Sequence, residues 1–273
     1  MTAVRVEAVA YRSILRGISA QWTGGEMVGV IGPNGAGKST LLRILAGVRQ
    51  PTQGAVTVDG ARAAHLQART RARLLSFMPQ QLAEDIPYTV AEFVEMGLYA
   101  HRDAWGQLAK EQRGRVAAAL ARMNLAPHAR TPLAELSGGE RQRAAVARCL
   151  AQGSPVIVLD EPIANLDLYY QVEILAELAR LASEGRLVIL AIHNLELAAR
   201  YCSSLFLLGE GRLRAAGKPE HVLAESTLRE VFRVDAKLFR DPYSGSLRLS
   251  LGGSAQAQAV RAAEPPALRE VAR

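Results

Sequence analysis

A glycine-rich stretch near the N-terminus constrains the fold of this chain more than any other part of its sequence. Residues 32–40 read GPNGAGKST and match the pattern G-x-x-x-x-G-K-[ST], between an apolar strand at 28–31 and a helix predicted over 39–46. Glycines let backbone N–H groups point at phosphate oxygens, and the start of a helix adds partial positive charge. Lys38 would carry a point charge to the phosphates, and Ser39 would offer its hydroxyl to Mg²⁺. The predicted phosphate site comprises Gly32, Pro33, Asn34, Gly35, Ala36, Gly37, Lys38, Ser39 and Thr40.

Two adjacent carboxylates form a second candidate element. Asp160 and Glu161 follow the apolar run 156–159, which places them at the carboxyl end of a core strand, where open α/β sheets bind ligands. Asp160 is expected to hold Mg²⁺, and Glu161 is expected to polarise an attacking water. Alone, such a pair is also a common helix N-cap. The phosphate loop upstream favours the catalytic interpretation.

The order of the predicted elements is that of an α/β protein. Apolar runs at 155–159 and 187–192 flank a helix predicted over 168–183, which is typical of a parallel sheet with right-handed crossovers. Between about 81 and 151 the pattern becomes helical, so a helical insertion interrupts the core. The residues from 252 onward are rich in Ala, Gln, Gly and Pro and are predicted to form a disordered tail.

Composition excludes several classes of protein. The chain has 273 residues, 49% of them hydrophobic, which is enough for a core without disulfide or metal support. Its net charge of +7 favours an anionic partner: a nucleotide, a nucleic acid or an acidic membrane surface. Cys149 and Cys202 are too isolated for a zinc or redox motif and are expected to be buried structural thiols in a reducing compartment. No membrane-spanning run or signal peptide is predicted.

The segment Leu136–Glu140, LSGGE, is the deciding motif. Ser137 and Glu140 fit the capping box of a helix, but two glycines in a first helical turn are costly unless something approaches the backbone closely. A phosphate at that helix N-terminus would supply the reason. With all three motifs in hand, the chain resembles the ATP-binding-cassette (ABC) ATPases from about Val4 to Leu249.

The resemblance implies further site residues. Gln80 would contact Mg²⁺ and sense a membrane partner, Asp167 would lie at a dimer seam, and His193 would lie at the γ-phosphate. Tyr11 resembles the aromatic residue that stacks on adenine. Ser137, Gly138, Gly139 and Glu140 would contact ATP bound to the opposite protomer. The implied catalytic set is Glu161, His193 and Gln80, and the implied Mg²⁺ set is Ser39, Gln80 and Asp160.

The resemblance also implies the fold class and the domain organisation. The expected fold is an α/β P-loop NTPase with a RecA-like parallel-sheet core, an N-terminal antiparallel β subdomain and an inserted α-helical subdomain. The ATPase domain is expected over 1–225, with its core at 1–80 and 152–225 and the helical subdomain at 81–151. A C-terminal extension at 226–251 and the tail at 252–273 would follow.

Within the family, a single cassette without a fused membrane domain or a large C-terminal domain favours an importer subunit. Segments 89–102 and 231–245 resemble the ATPases of iron-siderophore, haem and cobalamin importers, the second being closer to the siderophore and haem branch. The expected protein hydrolyses ATP with Mg²⁺ to drive uptake of chelated iron, as a siderophore or haem. The alternative cargo is cobalamin or another metal chelate or metal.

The partners implied are a second copy of the chain in an ATP-dependent homodimer and two transmembrane permease subunits. A periplasmic or extracellular substrate-binding protein would act indirectly, and the chain would be peripheral on the cytoplasmic face of the inner (plasma) membrane. Val90, Phe93, Val94 and Gly97 have helical spacing and are predicted to line a groove for a short permease helix.

Two rival classes receive less support from the sequence. A soluble ABC ATPase that acts on nucleic acid would use the positive charge. Arg62, Arg69, Arg71 and Arg73 cluster without interleaved aromatic residues, which favours a solvated face or an anionic membrane surface, so no nucleic-acid partner is expected. A nucleotide-binding scaffold without turnover is disfavoured because Glu161 is present.

Overall fold

The computed structural model describes residues 2–82, 86–103, 105–243 and 245–254. The strands are β1 (Ala3–Tyr11), β2 (Leu15–Thr23), β3 (Met27–Ile31), β4 (Gln53–Val58), β5 (Ala61–Arg62), β6 (Leu75–Met78), β7 (Val156–Asp160), β8 (Leu187–Ala191), β9 (Ser204–Gly209), β10 (Arg212–Gly217), β11 (Val234–Arg240) and β12 (Leu247–Ser254). The α-helices are α1 (Lys38–Leu45), α2 (Ala68–Leu74), α3 (Val90–Glu95), α4 (Lys110–Arg122), α5 (Gly138–Gln152), α6 (Leu168–Ser183), α7 (Leu195–Tyr201), α8 (Pro219–Val222) and α9 (Glu225–Phe232). Short 3-10 turns lie at Ala63–His65, Met96–His101, Ala126–His128 and Leu133–Glu135.

The central sheet has six strands in the order β10-β9-β3-β8-β7-β6. All but β10 run parallel, and β10 closes the edge as an antiparallel hairpin with β9. Every residue of β3, β7 and β8 is buried, because their apolar runs are covered on both faces. This order places the carboxyl ends of β3, β8 and β7 side by side.

A second, antiparallel sheet packs over α1 in the order β2-β1-β4-β5. One apolar cluster joins Val4 and Ile18 of this sheet to Leu41 of α1 and Val28 of β3. The cluster fixes the start of α1 beneath one face of the central sheet. This sheet is the antiparallel β subdomain that the resemblance implies.

The helical part consists of α3, α4 and α5, which share one apolar cluster with the central sheet. Val90, Phe93 and Val94 are completely or almost completely buried in it. At Gly97, an added Cβ would lie 2.4 Å from the carbonyl oxygen of Arg148. The prediction that these four residues line a permease groove is therefore wrong. Helical spacing marks an apolar face but does not tell what covers that face.

Two arginines of the 62–73 segment form hydrogen bonds that stabilise the fold. Arg69 and Arg73 each donate from Nε to the backbone carbonyl of Ala100, at 3.1 and 3.0 Å. They hold the 3-10 turn Met96–His101 against α2. Two members of the basic cluster therefore satisfy carbonyls of the chain itself.

A two-stranded sheet of β11 and β12 ends the described chain. Glu196, near the start of α7, accepts a hydrogen bond from the Leu249 backbone N–H at 3.0 Å and pairs with Arg248 at 2.9 Å. Because β12 runs to Ser254, the predicted tail does not begin at residue 252; backbone pairing with β11 extends the strand. Residues 255–273 lie outside the described residues.

Both cysteines are buried free thiols, as predicted. Burial raises the pKa of Cys149 to about 11 and that of Cys202 to about 12, so neither is a reactive thiolate at neutral pH. Among the described residues, no helix combines the length and apolarity needed to cross a bilayer.

Candidate functional site

The glycine-rich loop leaves β3 and enters α1 with a backbone that only glycine accommodates at two positions. Gly32 has φ +146°, and an added Cβ there would lie 2.2 Å from the carbonyl oxygen of Leu208. Gly37, directly before α1, has φ +99°, and its Cβ would lie 2.7 Å from Leu15. The loop therefore curls tightly under the neighbouring strands and opens towards the start of α1, where unpaired N–H groups favour an anion.

Lys38 is the first residue of α1, and its side chain folds back into the loop. Its ammonium group donates to the carbonyl oxygens of Gly32 at 2.8 Å and Pro33 at 3.0 Å. Burial lowers the pKa of Lys38, and the nearby carboxylates of Glu161 and Asp160 partly oppose this. The loop thus holds a nearly buried ammonium group on carbonyl oxygens at the mouth of the site.

Ser39 and Asp160 meet at the carboxyl end of β7. The Ser39 hydroxyl donates to Asp160 Oδ1 at 3.0 Å. Asp160 is completely buried, and its Oδ2 has no hydrogen-bond partner among the described residues. Burial raises the pKa of Asp160, against the opposing effects of the Ser39 bond and of Lys38. A buried, unpaired carboxylate oxygen beside a hydroxyl is a donor set that suits a hard divalent cation such as Mg²⁺.

Glu161 and His193 form a hydrogen-bonded pair, although they lie 32 positions apart in the chain. The distance between His193 Nε2 and Glu161 Oε1 is 2.7 Å. An ionised carboxylate only accepts hydrogen bonds, so in that state Nε2 carries the hydrogen. The two residues meet because they follow β7 and β8, which are adjacent parallel strands.

One cavity of about 350 Å³ brings most of the predicted site residues together. It is lined by residues 34–40 of the loop and the start of α1, and by Gln80, Glu161 and His193. Ile14 also lines it and was not singled out by the sequence motifs. A smaller neighbouring cavity of about 180 Å³ extends from Glu161 and His193 along residues 163–165.

Tyr11 does not line this cavity. Its half-buried ring packs against the apolar cluster that joins the antiparallel sheet to α1. The guanidinium groups of Arg12 and Arg49 lie 5.4 and 5.0 Å from the ring centroid. Ile14, three residues later in the turn between β1 and β2, lies closer to the loop. An adenine-stacking role for Tyr11 stays a prediction.

The LSGGE segment also lies outside the cavity, at the start of α5. Ser137 and Glu140 form the predicted capping box: Ser137 N–H donates to Glu140 at 2.9 Å, and Glu140 N–H donates to the Ser137 hydroxyl at 3.3 Å. Bonds from the hydroxyl and backbone of Ser137 hold the pKa of Glu140 below its ordinary value. An added Cβ at Gly138 would meet none of the described residues beyond its own helical turn within 4 Å. The first turn of α5 therefore presents open backbone.

Gln142 connects this helix to the Glu161–His193 pair and was not predicted. Its side-chain amide donates to the backbone carbonyl of Glu161 at 2.7 Å. One turn earlier in this helix, an added Cβ at Gly139 would lie 3.1 Å from the Leu166 side chain. Leu166 is followed by Asp167, the residue that precedes α6. The LSGGE segment, called the signature below, thus begins a helix that packs directly on the segment that follows β7. Gln142 lies between Arg141 and Arg143, and the sequence does not indicate which of these three polar side chains faces the core.

Comparison with known proteins decides the family. A family model for ABC transporters matches residues 15–164, which is more than half of the chain. The chain belongs to the ABC transporter family. The fold class inferred from the motifs is confirmed, since solved ABC cassettes superpose over nearly the whole chain.

Two solved structures illustrate the match. A metal-chelate type ABC transporter in an inward-facing conformation is 26% identical with a TM-score of 0.79, covering 94% of this chain and all of that one. A dimeric ATP-binding cassette bound to ADP and Pi is 29% identical with a TM-score of 0.72, covering 80% of this chain and 99% of that one.

Curated relatives of this ABC protein carry import names. The cobalamin import ATP-binding protein of Halobacterium salinarum is 41% identical over 92% of this chain, which spans 62% of that protein's length. The hemin import ATP-binding protein of Streptomyces coelicolor is 40% identical over 86% of this chain and 84% of its own length. The iron(3+)-hydroxamate import ATP-binding protein of Bacillus subtilis is 35% identical over 85% of this chain and 86% of its own length.

Proposed function

We propose that this ABC protein is the ATP-hydrolysing subunit of an importer for a metal chelate and drives a separate membrane permease. The observation that carries the proposal is the single cavity in which the phosphate-binding loop faces the Glu161–His193 pair. Phosphate-binding backbone and a hydrogen-bonded acid–base pair in one cavity are what hydrolysis of a nucleoside triphosphate requires.

The loop and Lys38 bind the phosphate chain. Backbone N–H groups at the start of α1 face the cavity mouth, and the Lys38 ammonium exchanges its bonds to the Gly32 and Pro33 carbonyls for β- and γ-phosphate oxygens. At about 4 Å and an effective dielectric of 20, one such charge contributes on the order of 4 kcal/mol. Lys38 therefore serves substrate binding more than the chemical step.

Ser39 and Asp160 are the residues that would hold Mg²⁺. Asp160 has the unpaired oxygen and Ser39 the hydroxyl beside it, and Gln80 reaches the same cavity from the end of β6. A donor set with few carboxylates suits Mg²⁺ that also binds substrate phosphates. When bound, Mg²⁺ neutralises the charge that develops on the phosphate oxygens.

Glu161 is the proposed general base. It orients a water for attack on the γ-phosphorus and accepts a proton from it, while the bond from that phosphorus to the ADP oxygen breaks and ADP and phosphate leave. His193 holds the carboxylate in place through the 2.7 Å bond and faces the same cavity as the γ-phosphate would. A nucleotide-binding scaffold without turnover would have no use for this pair.

The signature completes the site from a second copy of the chain. Ser137, Gly138, Gly139 and Glu140 do not line their own cavity, and Gly138 leaves its backbone open. We infer that two copies sandwich two ATP molecules, with Asp167 at the seam. The related cassette dimer bound to ADP and Pi supports this arrangement.

The cargo we propose is chelated iron, as a siderophore or haem, and the alternative is cobalamin. The names of the hemin, hydroxamate and cobalamin import relatives support this class of cargo as a whole. We further propose a peripheral position on the cytoplasmic face of the membrane, against two permease subunits. A periplasmic or extracellular binding protein would deliver the cargo.

Because Val90, Phe93 and Val94 are buried, the candidates for permease contact are exposed apolar residues near them in the sequence. Tyr88, Met96 and Tyr99 flank the buried residues Val90, Phe93 and Val94 in the sequence, and Tyr99 is 75% exposed. Action on nucleic acid receives no support from Arg69 and Arg73, whose guanidinium groups bond to backbone carbonyls.

The test of this function is to purify the chain with its membrane permease in lipid and measure ATPase activity with loaded binding protein. A ferric siderophore or haem is expected to stimulate turnover, whereas a sugar or an amino acid is not. Stimulation only by cobalamin would select the alternative cargo. Stimulation only by a sugar or an amino acid would overturn the cargo class and leave the ATPase proposal intact.

A further inference from the structure

A basic crevice lies on the edge of the central sheet opposite to the candidate active site. It encloses about 240 Å³ between the helical part and the start of β8. Arg115 and Arg122 of α4, Gly153 after α5 and Arg186 before β8 line it, and the remaining lining residues carry no charge. Three guanidinium groups from two parts of the fold thus face one small space.

Arg186 has an unmet hydrogen-bonding capacity at this place. Its Nη1 is buried and has no acceptor among the described residues. Burial lowers the pKa of Arg186, and Arg122, Arg115 and Arg180 add to this effect, whereas Glu184 opposes it. Arginine nevertheless stays charged at neutral pH, so within the described part of the chain this buried cationic N–H group has no acceptor.

Among the described residues, the carboxylates near the crevice already pair with guanidinium groups. Glu177 lies 3.3 Å from Nη1 of Arg122 and also pairs with Arg180 at 2.8 Å, so one carboxylate serves two guanidinium groups. On the other side, an added Cβ at Gly153 would come within 2.8 Å of Nη1 of Arg115. The absence of a side chain at 153 therefore lets Arg115 lie across the end of α5.

We propose that this crevice binds a phosphate-class oxyanion and thereby ties α4 to the start of β8. Arginine suits this role because its planar fork pairs with two oxygens of phosphate at once. An anion between Arg122 and Arg186 would bridge the helical part and the core, in addition to the apolar packing and the Arg122–Glu177 pair that already join them. The anion is either a free phosphate compound or the phosphate of a phospholipid headgroup.

The probe is pyrophosphate, titrated calorimetrically into the full chain at constant ionic strength. All variants carry Lys38→Ala, which weakens phosphate binding at the glycine-rich loop. Arg186→Gln and Arg122→Gln are each expected to raise the Kd by about 10- to 100-fold, the effect of losing one charge-assisted hydrogen bond. The exposed Arg130→Gln, also in the helical part, is the matched control and is expected to leave the Kd unchanged.

A parallel arm measures flotation with phosphatidylglycerol vesicles against phosphatidylcholine vesicles. Pyrophosphate binding that needs Arg186 and Arg122 supports a free phosphate compound. Vesicle binding that needs both residues, without pyrophosphate binding, supports a lipid headgroup. Binding that neither substitution weakens, or no binding in either arm, overturns the proposal. Because Arg122 lies on an exposed helix surface, its variant tests the site even if Arg186→Gln folds poorly.

Discussion

The side-chain amide of Gln142 donates a hydrogen bond to the backbone carbonyl oxygen of Glu161, at 2.7 Å. Gln142 lies in the second turn of the helix that opens with the signature, and Glu161 is the proposed general base. Glu161 has φ +57°, a left-handed conformation that residues other than glycine rarely adopt. The contact therefore fixes the strained backbone from which the Glu161 carboxylate projects.

Gln142→Ala is expected to lower kcat for ATP hydrolysis by about 5- to 10-fold, the effect of one lost hydrogen bond of about 1 kcal/mol. The KM for ATP should change little, because Gln142 does not line the nucleotide cavity. Steady-state ATPase assays check this, with Gln21→Ala on the exposed face of β2 as the control. An increase in KM at constant kcat would contradict the positioning role.

Glu161→Gln is expected to lower ATP hydrolysis by about 100-fold or more while leaving ATP binding intact. A positioned base contributes about 10²–10⁴ to a rate, and the amide cannot accept the proton of the attacking water. Single-turnover hydrolysis and equilibrium ATP binding separate the two effects. Turnover close to that of the unmodified protein would show that another group acts as the base.

ATP is expected to drive dimerisation of the Glu161→Gln variant, because the signature of one copy does not reach its own cavity. Light scattering with and without ATP and Mg²⁺ should show the mass double. The same variant with ADP is the control and should stay monomeric. A monomer at saturating ATP would argue against a site shared between two copies.

Asp160→Asn is expected to raise the Tm of the nucleotide-free protein at pH 7 and to abolish Mg²⁺-dependent hydrolysis. The folded-state pKa of Asp160 is raised by burial, so the ionised carboxylate destabilises the fold above that pKa. The penalty disappears as the pH falls through the folded pKa towards the unfolded value of 3.8, so the Tm advantage of Asn should shrink in acid. A gain of about 1 kcal/mol would correspond to about 2–4 °C in thermal unfolding. A lower Tm for the variant at pH 7 would contradict this account.

Gly97→Ala is expected to destabilise the protein by about 1–3 kcal/mol, the typical cost of overpacking. Its Cβ would lie 2.4 Å from a backbone oxygen of α5, which cannot move like a side-chain end. Gly114→Ala is the matched control, because it lies within α4 and an added Cβ would contact none of the described residues beyond its own helix backbone within 4 Å. That change should stabilise by about 0.5–1 kcal/mol, as alanine does in a helix interior. Denaturant unfolding measures both, and equal effects would contradict the packing argument.

Strand order explains why much of the candidate site could be predicted. Asp160, Glu161 and His193 follow apolar runs that are recognisable as buried parallel strands, and such strands end at one edge of a sheet. The glycine-rich loop is recognisable because its backbone requires glycine at 32 and 37. The positions of residues that depend on backbone geometry can therefore be predicted from the sequence.

Residues whose role depends on which neighbour covers them could not be predicted. The spacing of Val90, Phe93 and Val94 is the same for a docking groove and for a core, and the structure places them in the core. The role of Gln142 could not be predicted either, because its partner is a backbone carbonyl 19 positions away and only the fold brings the two together. The β11–β12 hairpin was missed because its strands are only partly buried and lack a continuous apolar run.

The bonds of Glu196 to Arg248 and to the Leu249 backbone join the terminal hairpin to the first turn of α7, three residues after His193. Any tilt of α7 that carries His193 towards or away from a γ-phosphate must swing the hairpin with it or break both bonds. Tyr243 lies between β11 and β12, away from the bonds to Glu196, and its side chain is fully exposed. A spin label or fluorophore at position 243 would therefore report the chemical state of the nucleotide.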